Sequence, residues 1–200
     1  MSPEAHIAAL AAKKALRSRF APIRKAIEPA TRDAASAAMI ATLLETKAYA
    51  DATTVFCYAS MPEEVQLDTF LAQAIADGKR VTIPWITKGG TMEAVDLPSL
   101  ECLETGFYGI RNVPKALRHV VLPEEIDLAI VPGLVFTPDG ARVGLGGGYY
   151  DRYLQRAPQA ERIALTFDAL ITDRVTMEAH DLWVDTVITE TRVFRCERRR

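Results

Sequence analysis

Residues 131–154 read Val131-Pro-Gly-Leu-Val-Phe-Thr-Pro-Asp-Gly-Ala-Arg-Val-Gly-Leu-Gly-Gly-Gly-Tyr-Tyr-Asp-Arg-Tyr-Leu154. The apolar run that enters this stretch, 127–131, has the length and composition of a buried strand. The strand breaks at Pro132-Gly133, and Pro138-Asp139-Gly140 supplies a turn. Four of the five residues 144–148 are glycine. Such a loop adopts positive φ freely and lets a ligand approach the backbone closely. The polar-aromatic run from Tyr149 reads as a helix start, where unpaired backbone amides suit a phosphate. The plainer alternative is a structural glycine-rich turn, although a mere turn rarely needs three consecutive glycines.

The flanking segments alternate between strand and helix. Residues 53–59 are β-branched and aromatic and read as a strand. A loop at 60–64 leads to an amphipathic helix over 67–77, with Gly78 as its C-terminal cap. A second short strand follows at 80–84, and this βαβ spacing argues for parallel pairing. Gly89-Gly90 is a turn before a strand at 91–95, and 98–121 is irregular. After the glycine loop come a helix at 149–155 and strands at 162–166, 185–189 and 193–196. Two helices precede all of this. One spans 3–26, with an interruption at Pro22 and with Ile7, Leu10, Ala11 and Ala15 on one face. The other spans 31–48, capped by Thr31, with Met39, Leu43 and Leu44 inward. The expected fold is α/β: a three-layer α/β/α arrangement with a mostly parallel central sheet and helices on both faces. One domain is expected over 1–200.

Composition narrows the function. Hydrophobic residues make up 49% of the chain, enough for a full core. The net charge of −2 gives no global basic field, so neither nucleic acid nor a membrane surface is an expected partner. The basic tail Arg195-Cys-Glu-Arg-Arg-Arg200 reads as a solvated tip. No apolar run approaches membrane-spanning length. Cys57, Cys102 and Cys196 are odd in number and far apart, which fits neither a zinc site nor a disulfide framework. Lys13 and Lys14 follow the early apolar segment, the wrong order for an export signal. A cytoplasmic protein is expected.

In open α/β sheets, ligands bind outside the carboxyl ends of the strands. The loops at 59–64, 132–148 and from 166 onward leave such ends. The glycine loop lacks the Gly-Lys-Ser/Thr of a Walker loop, and Tyr149 stands where a dinucleotide fingerprint ends in Gly or Ala. A phosphate still suits it, with Arg142 as a positive charge and Asp151 as an oxygen ligand for magnesium. A second carboxylate is available in Glu178-Ala-His-Asp181, where His180 and Asp181 have structural readings of equal weight. Glu64 offers paired acceptor oxygens to a polar heterocycle, or a helix N-terminal charge. Tyr108 offers a stacking ring or a core aromatic. Lys13, Lys14, Arg17 and Arg19 read as a solvated helix face, and His6 and His119 as surface or structural histidines.

Taken together, these segments resemble the 5-formyltetrahydrofolate cyclo-ligase family. The resemblance rests on Val131-Pro-Gly-Leu-Val-Phe and on Gly144-Leu-Gly-Gly-Gly-Tyr-Tyr-Asp-Arg-Tyr-Leu154. Lys13-Lys-Ala-Leu-Arg17, Glu64-Val65 after Tyr58-Ala-Ser60, and His180-Asp-Leu-Trp-Val-Asp185 support it in matching order. The resemblance implies a three-layer α/β enzyme, and a monomer is expected. It would use ATP and Mg2+ to close 5-formyltetrahydrofolate to 5,10-methenyltetrahydrofolate through a phosphorylated formyl group. It places Lys13, Lys14, Ala15, Leu16 and Arg17 on ATP. Arg142, Val143, Gly144, Leu145, Gly146, Gly147, Gly148, Tyr149 and Tyr150 would join them there. It places Ala59, Glu64 and Tyr108 on the folate, with Leu145 to Tyr149 shared between the two. Arg142, Gly147, Gly148 and Tyr149 would face the reacting groups, and Asp151 and Asp181 would hold magnesium.

This chain departs from the family pattern at three places. Leu145 stands where Arg or Lys is common, Gln66-Leu67 replaces a frequent Asp-Thr, and Arg111-Asn112-Val113-Pro114 replaces a frequent Glu-Pro. Two alternatives stay open from the sequence. One is a non-catalytic relative that binds folate or nucleotide, and the other is a sugar-phosphate isomerase-like enzyme of related architecture.

Overall fold

A computed structural model describes residues 2–106 and 109–197. Tyr108 therefore lies outside the described residues. In chain order the strands are Thr54–Phe56 (β1), Arg80–Ile86 (β2), Met92–Asp96 (β3), Glu104–Thr105 (β4), Arg111–Asn112 (β5) and Val120–Val121 (β6). They continue as Leu128–Ile130 (β7), Val135–Phe136 (β8), Arg142–Val143 (β9), Glu161–Leu165 (β10), Thr186–Ile188 (β11) and Val193–Arg195 (β12). The helices are Pro3–Lys25 (α1), Pro29–Leu44 (α2), Lys47–Asp51 (α3), Asp68–Ala76 (α4) and Tyr149–Leu154 (α5).

The main sheet has the order β12-β11-β10-β7-β1-β2-β3-β6. Its centre, from β11 to β2, is parallel. Both edges turn antiparallel: β12 on one side, β3 and β6 on the other. The sheet is buried on both faces, as parallel sheets are, and its residues alternate between two cores. Val55, Leu128, Ile130, Ile163 and Ile188 face a core shared with Phe20, Met39, Leu43 and Phe70 of α1, α2 and α4. Phe56, Ala129, Ala164 and Val187 face a second core with Tyr153 and Leu154 of α5. A fully buried side chain such as Phe56 contributes roughly 1.5–3 kcal/mol of transfer free energy. The three layers are therefore present but unequal, with the long helices on one face and short α5 on the other. Among the described residues no helix is long and apolar enough to cross a membrane.

Several boundaries differ from expectation for physical reasons. α1 runs through Pro22 to Lys25 without a break. The second helix starts at Pro29, whose fixed φ suits a first helical position, so Thr31 lies inside the first turn and is no cap. It ends at Leu44, and the Thr46 side chain, accepting from the Tyr49 amide at 3.1 Å, starts the separate α3. β2 continues past Pro84 to Ile86. Its pairing with β1 stops at Thr82, so the missing amide of Pro84 costs no parallel ladder bond. Gly78 has φ +75° directly after α4, as a helix stop requires.

The apolar stripe expected on α1 is overturned. Ile7 and Leu10 are exposed, as are Ala11 and Ala15, while Ala9, Lys13 and Phe20 are buried. Lys13 turns inward because it meets the opposite charge of Glu178 and Asp181, while Phe20 packs in the apolar core.

Candidate functional site

A cleft of about 870 Å³ opens over the carboxyl ends of the central strands. α1 forms one wall. His6, Leu10, Lys13, Arg17 and Arg24 recur at intervals of four, three, four and seven, which puts them on one side of a helix. The ribbon of β8 and β9 projects the glycine loop as a second wall, with Pro138-Asp139-Gly140 at its far turn, as expected. No periodic signal marks this ribbon in the sequence, because its strands are two residues each.

At this end of the cleft, cations and carboxylates interlock. Lys13 is buried, and its ammonium donates to Glu178 Oε2 at 2.9 Å and to Asp181 Oδ2. His6 Nδ1 lies 2.5 Å from the other Glu178 oxygen. Hydrogen bonds from Lys13 and then His6 hold the Glu178 carboxyl down at about 2. The Glu178 amide donates to Asp181 Oδ2 at 2.7 Å, which fixes the turn. Arg17 Nε donates to the Gly144 carbonyl at 2.8 Å, so α1 also holds the start of the glycine loop. Gly146 and Gly148 have φ of +105° and +62°, conformations that a residue with Cβ adopts only at a cost. α5 has only six residues, so the anion cradle rests on the loop and its cations more than on a helix dipole.

Arg142 is buried at the base of this loop, and its Nη2 donates to Asp151 Oδ1 at 2.6 Å. No described residue accepts from Arg142 Nε, and none pairs with the buried Tyr150 hydroxyl. Burial pushes the Tyr150 phenol well above its ordinary range, so it is a neutral donor. These two orphaned polar groups border the cleft and suit an oxygen-rich ligand.

The carboxylates fit a hard divalent cation. Ligand atoms of Glu178, His180 and Asp181 lie within 4.8 Å of one another. Both Glu178 oxygens are already engaged, and a His nitrogen is a poor ligand for magnesium. Asp151 and Asp181 suit it better. Asp151 Oδ1 accepts from the Leu182 amide at 3.0 Å, which brings the two carboxylates into one neighbourhood. The second oxygen of each takes no hydrogen bond from a described residue.

Deeper in the cleft, the loop after β1 presents Tyr58, Ala59 and Glu64. Ser60 Oγ bridges this loop, donating to Val65 O at 2.7 Å and accepting from the Leu67 amide at 3.0 Å. Gln66, one of the departures, braces it through the Met61 and Glu64 carbonyls at 3.0 and 2.7 Å. Glu64 Oε2 accepts from the Met61 amide at 3.0 Å, and Arg24 lies 4.0 Å from Oε1. Burial raises the Glu64 carboxyl above its ordinary value, and the Met61 amide and Arg24 only partly oppose it. The far wall carries Trp85, Ile110, Arg111 and Arg118. Arg111 is held by both oxygens of Asp68, at 2.7 and 2.5 Å.

The cleft thus brings together Lys13, Arg17, Ala59, Glu64, Arg142, the segment 143–150, Asp151 and Asp181. Lys14 and Ala15 do not line it: both are exposed on other sides of α1, and Leu16 packs against the core. Two residues escape the sequence reading, His6 and Tyr58. The pairing of His6 with Glu178 becomes visible only when α1 and the segment around 178 are brought together, although the spacing of His6, Lys13 and Arg17 signals one helix face. Tyr58 hides as an ordinary strand aromatic.

Comparison with known proteins agrees with this geometry. The model of the 5-formyltetrahydrofolate cyclo-ligase family matches residues 9–190. A Caenorhabditis elegans protein described as a probable 5-formyltetrahydrofolate cyclo-ligase is 31% identical over 160 residues, 74% of this chain and 78% of the relative. The Mus musculus 5-formyltetrahydrofolate cyclo-ligase is 28% identical, covering 90% of this chain and 94% of its own. The structure of Aquifex aeolicus 5,10-methenyltetrahydrofolate synthetase superposes with a TM-score of 0.82 at 27% identity, over 94% of each chain. With a family match over nearly its whole length and a cleft built from the family's motif residues, the chain belongs to the 5-formyltetrahydrofolate cyclo-ligase family.

Proposed function

We propose that this protein closes 5-formyltetrahydrofolate to 5,10-methenyltetrahydrofolate, with ATP converted to ADP and phosphate. The observation that carries the reading is one cleft in which a cation-lined glycine loop adjoins a buried carboxylate. A phosphate donor and a polar heterocycle fit side by side there. The reading extends to one catalytic unit over residues 1–200, acting as a monomer in the cytoplasm.

The chemistry follows from a poor leaving group. The formyl oxygen attacks the γ-phosphorus, and the bond to the β-phosphate oxygen breaks, releasing ADP. The carbon is then an iminium bearing phosphate. N10 attacks it, the carbon–oxygen bond breaks, and the N10 proton leaves with the phosphate as hydrogenphosphate. Such a reaction needs positioning and charge neutralisation more than a protein nucleophile. Lys13, Arg17 and Arg142 neutralise the phosphates, and the amides of 144–148 orient them. Gly147, Gly148 and Tyr149 face the formyl group, and Glu64 accepts from the pterin ring. Asp151 and Asp181 would hold magnesium, which when bound offsets triphosphate charge.

The test is the absorbance of methenyltetrahydrofolate formed from 5-formyltetrahydrofolate, ATP and magnesium, run beside a mixture without ATP. Product that appears only with ATP is expected. A second reading has one observation in its favour: exposed Leu145 puts an apolar side chain in the phosphate loop. If folate binds and no product forms with ATP, the protein is a non-catalytic folate-binding relative.

A further inference from the structure

Five cationic side chains line the cleft: Lys13, Arg17, Arg111, Arg118 and Arg142. Three are matched by carboxylates, namely Lys13 by Glu178 and Asp181, Arg111 by Asp68, and Arg142 by Asp151. Arg17 and Arg118 have no carboxylate within ion-pair distance among the described residues. The two stand at opposite ends. Arg17 holds the glycine loop beside β7 and β9. Arg118 stacks on Trp85 of β2, 5.0 Å from its ring centroid, and its Nε donates to Val113 O at 2.8 Å. β7, β1 and β2 are successive neighbours in the sheet. With strands about 4.8 Å apart, the end of β2 is roughly 10 Å from that of β7.

We infer that Arg118 is a binding residue for a carboxylate at the far end of the substrate, opposite the reacting formyl group. This rests on the proposed function, because 5-formyltetrahydrofolate carries its glutamate at the end away from the pterin. The nucleotide phosphates belong to the Arg17 end, Glu64 occupies the middle, and the second unmatched cation sits where the glutamate must emerge. The guanidinium is already oriented. Trp85 fixes its plane and Val113 O holds Nε, which leaves the two terminal nitrogens for a bidentate carboxylate. A stacked, pre-ordered guanidinium loses little further freedom on binding.

The experiment compares two ligands, 5-formyltetrahydrofolate and the carboxamide of 5-formyltetrahydropteroate, which lacks the glutamate and carries no carboxylate. Binding of each is measured calorimetrically without ATP, and turnover is measured with ATP. The Arg118→Gln variant is expected to weaken binding of the glutamate-bearing compound by about tenfold or more, the usual scale for truncating a charged hydrogen bond. Binding of the pteroate carboxamide and the KM for ATP should stay within about twofold. Arg118→Lys, which keeps the charge without the fork, should recover part of the lost discrimination. If Arg118→Gln weakens both ligands equally, or wild-type protein binds them equally, the assignment is overturned. Wild-type protein that binds both and turns over neither would sink the ligase reading, while the binding ratio would still decide the role of Arg118. Thermal melting of each variant separates loss of the contact from loss of the fold.

Discussion

Glu64 shows how a functional group can be costly to its own fold. Its carboxyl is raised by burial, so its folded value exceeds its unfolded one. A group shifted that way contributes stability below the unfolded value of 4.5, and this is lost as pH rises through the folded value. At neutral pH the ionised side chain therefore opposes folding and persists for what it binds. Glu64→Gln should melt at or above the wild-type temperature at pH 7, with the advantage gone below the unfolded value. The same variant should raise the KM for folate well above its effect on ATP. A melting series across pH checks the first part, and a variant much less stable at pH 7 would refute it. Asp151 is the contrasting case, since its ion pair with Arg142 gives the proposed magnesium ligand a structural part as well. Asp151→Asn keeps a hydrogen-bond acceptor for the Leu182 amide but weakens a magnesium ligand. It should lose most ATP-dependent turnover, and what remains should need more magnesium. A titration of rate against magnesium that superposes on wild type would refute the assignment.

At the scale of elements, α1 decides whether the phosphate end exists. Its apolar stripe pointed to Ile7, Leu10, Ala11 and Ala15 as the packed face, and the structure buries Ala9, Lys13 and Phe20 instead. The error has a physical origin. Hydrophobic periodicity finds a helix face that packs on apolar surface, and this face packs on acids 165 and 168 residues away. Nothing local in the chain reports such a partner. The glycine loop was legible because φ restrictions act within a few residues. Its supporting ribbon was not, since two-residue strands carry no period. α1 is thus both a wall and a clamp, and Lys13→Ala should disturb both roles. It removes a proposed phosphate contact and leaves Glu178 with His6 and, at 3.9 Å, His180. The KM for ATP should rise by about tenfold or more while that for folate changes little, as expected for a lost charged hydrogen bond. The melting temperature should fall as well. Steady-state kinetics on each substrate check this, and equal rises in both KM values would remove Lys13 from the phosphate site.

For the whole molecule, the site is a meeting of chain ends on a parallel sheet. The parallel sense of the sheet's centre was readable from alternating strands and helices, and its antiparallel edges follow from short turns such as that between β2 and β3. Which loops would share one cleft was less readable, because that depends on strand order: β1 lies between β7 and β2, although β2 follows it after α4 alone and β7 only after β2 to β6. What topology adds is coupling. The end proposed for ATP is assembled from α1, the middle of the chain at 142–151 and the segment 178–182, joined by Lys13–Glu178, Arg17–Gly144 and Asp151–Leu182. The end proposed for folate is assembled from the loop after β1 and from the β2 and β5 region. A ligand that bridges three segments restrains all three, because local opening of any one must break contacts to the others. ATP with magnesium should therefore slow amide hydrogen exchange together in residues 6–17, 144–151 and 178–182, and chelating the metal should weaken all three effects in parallel. 5-Formyltetrahydrofolate alone should protect 58–66 and the end of β2 first. Protection by ATP confined to 144–148, with α1 and 178–182 unchanged, would mean that the glycine loop binds phosphate without the two chain ends.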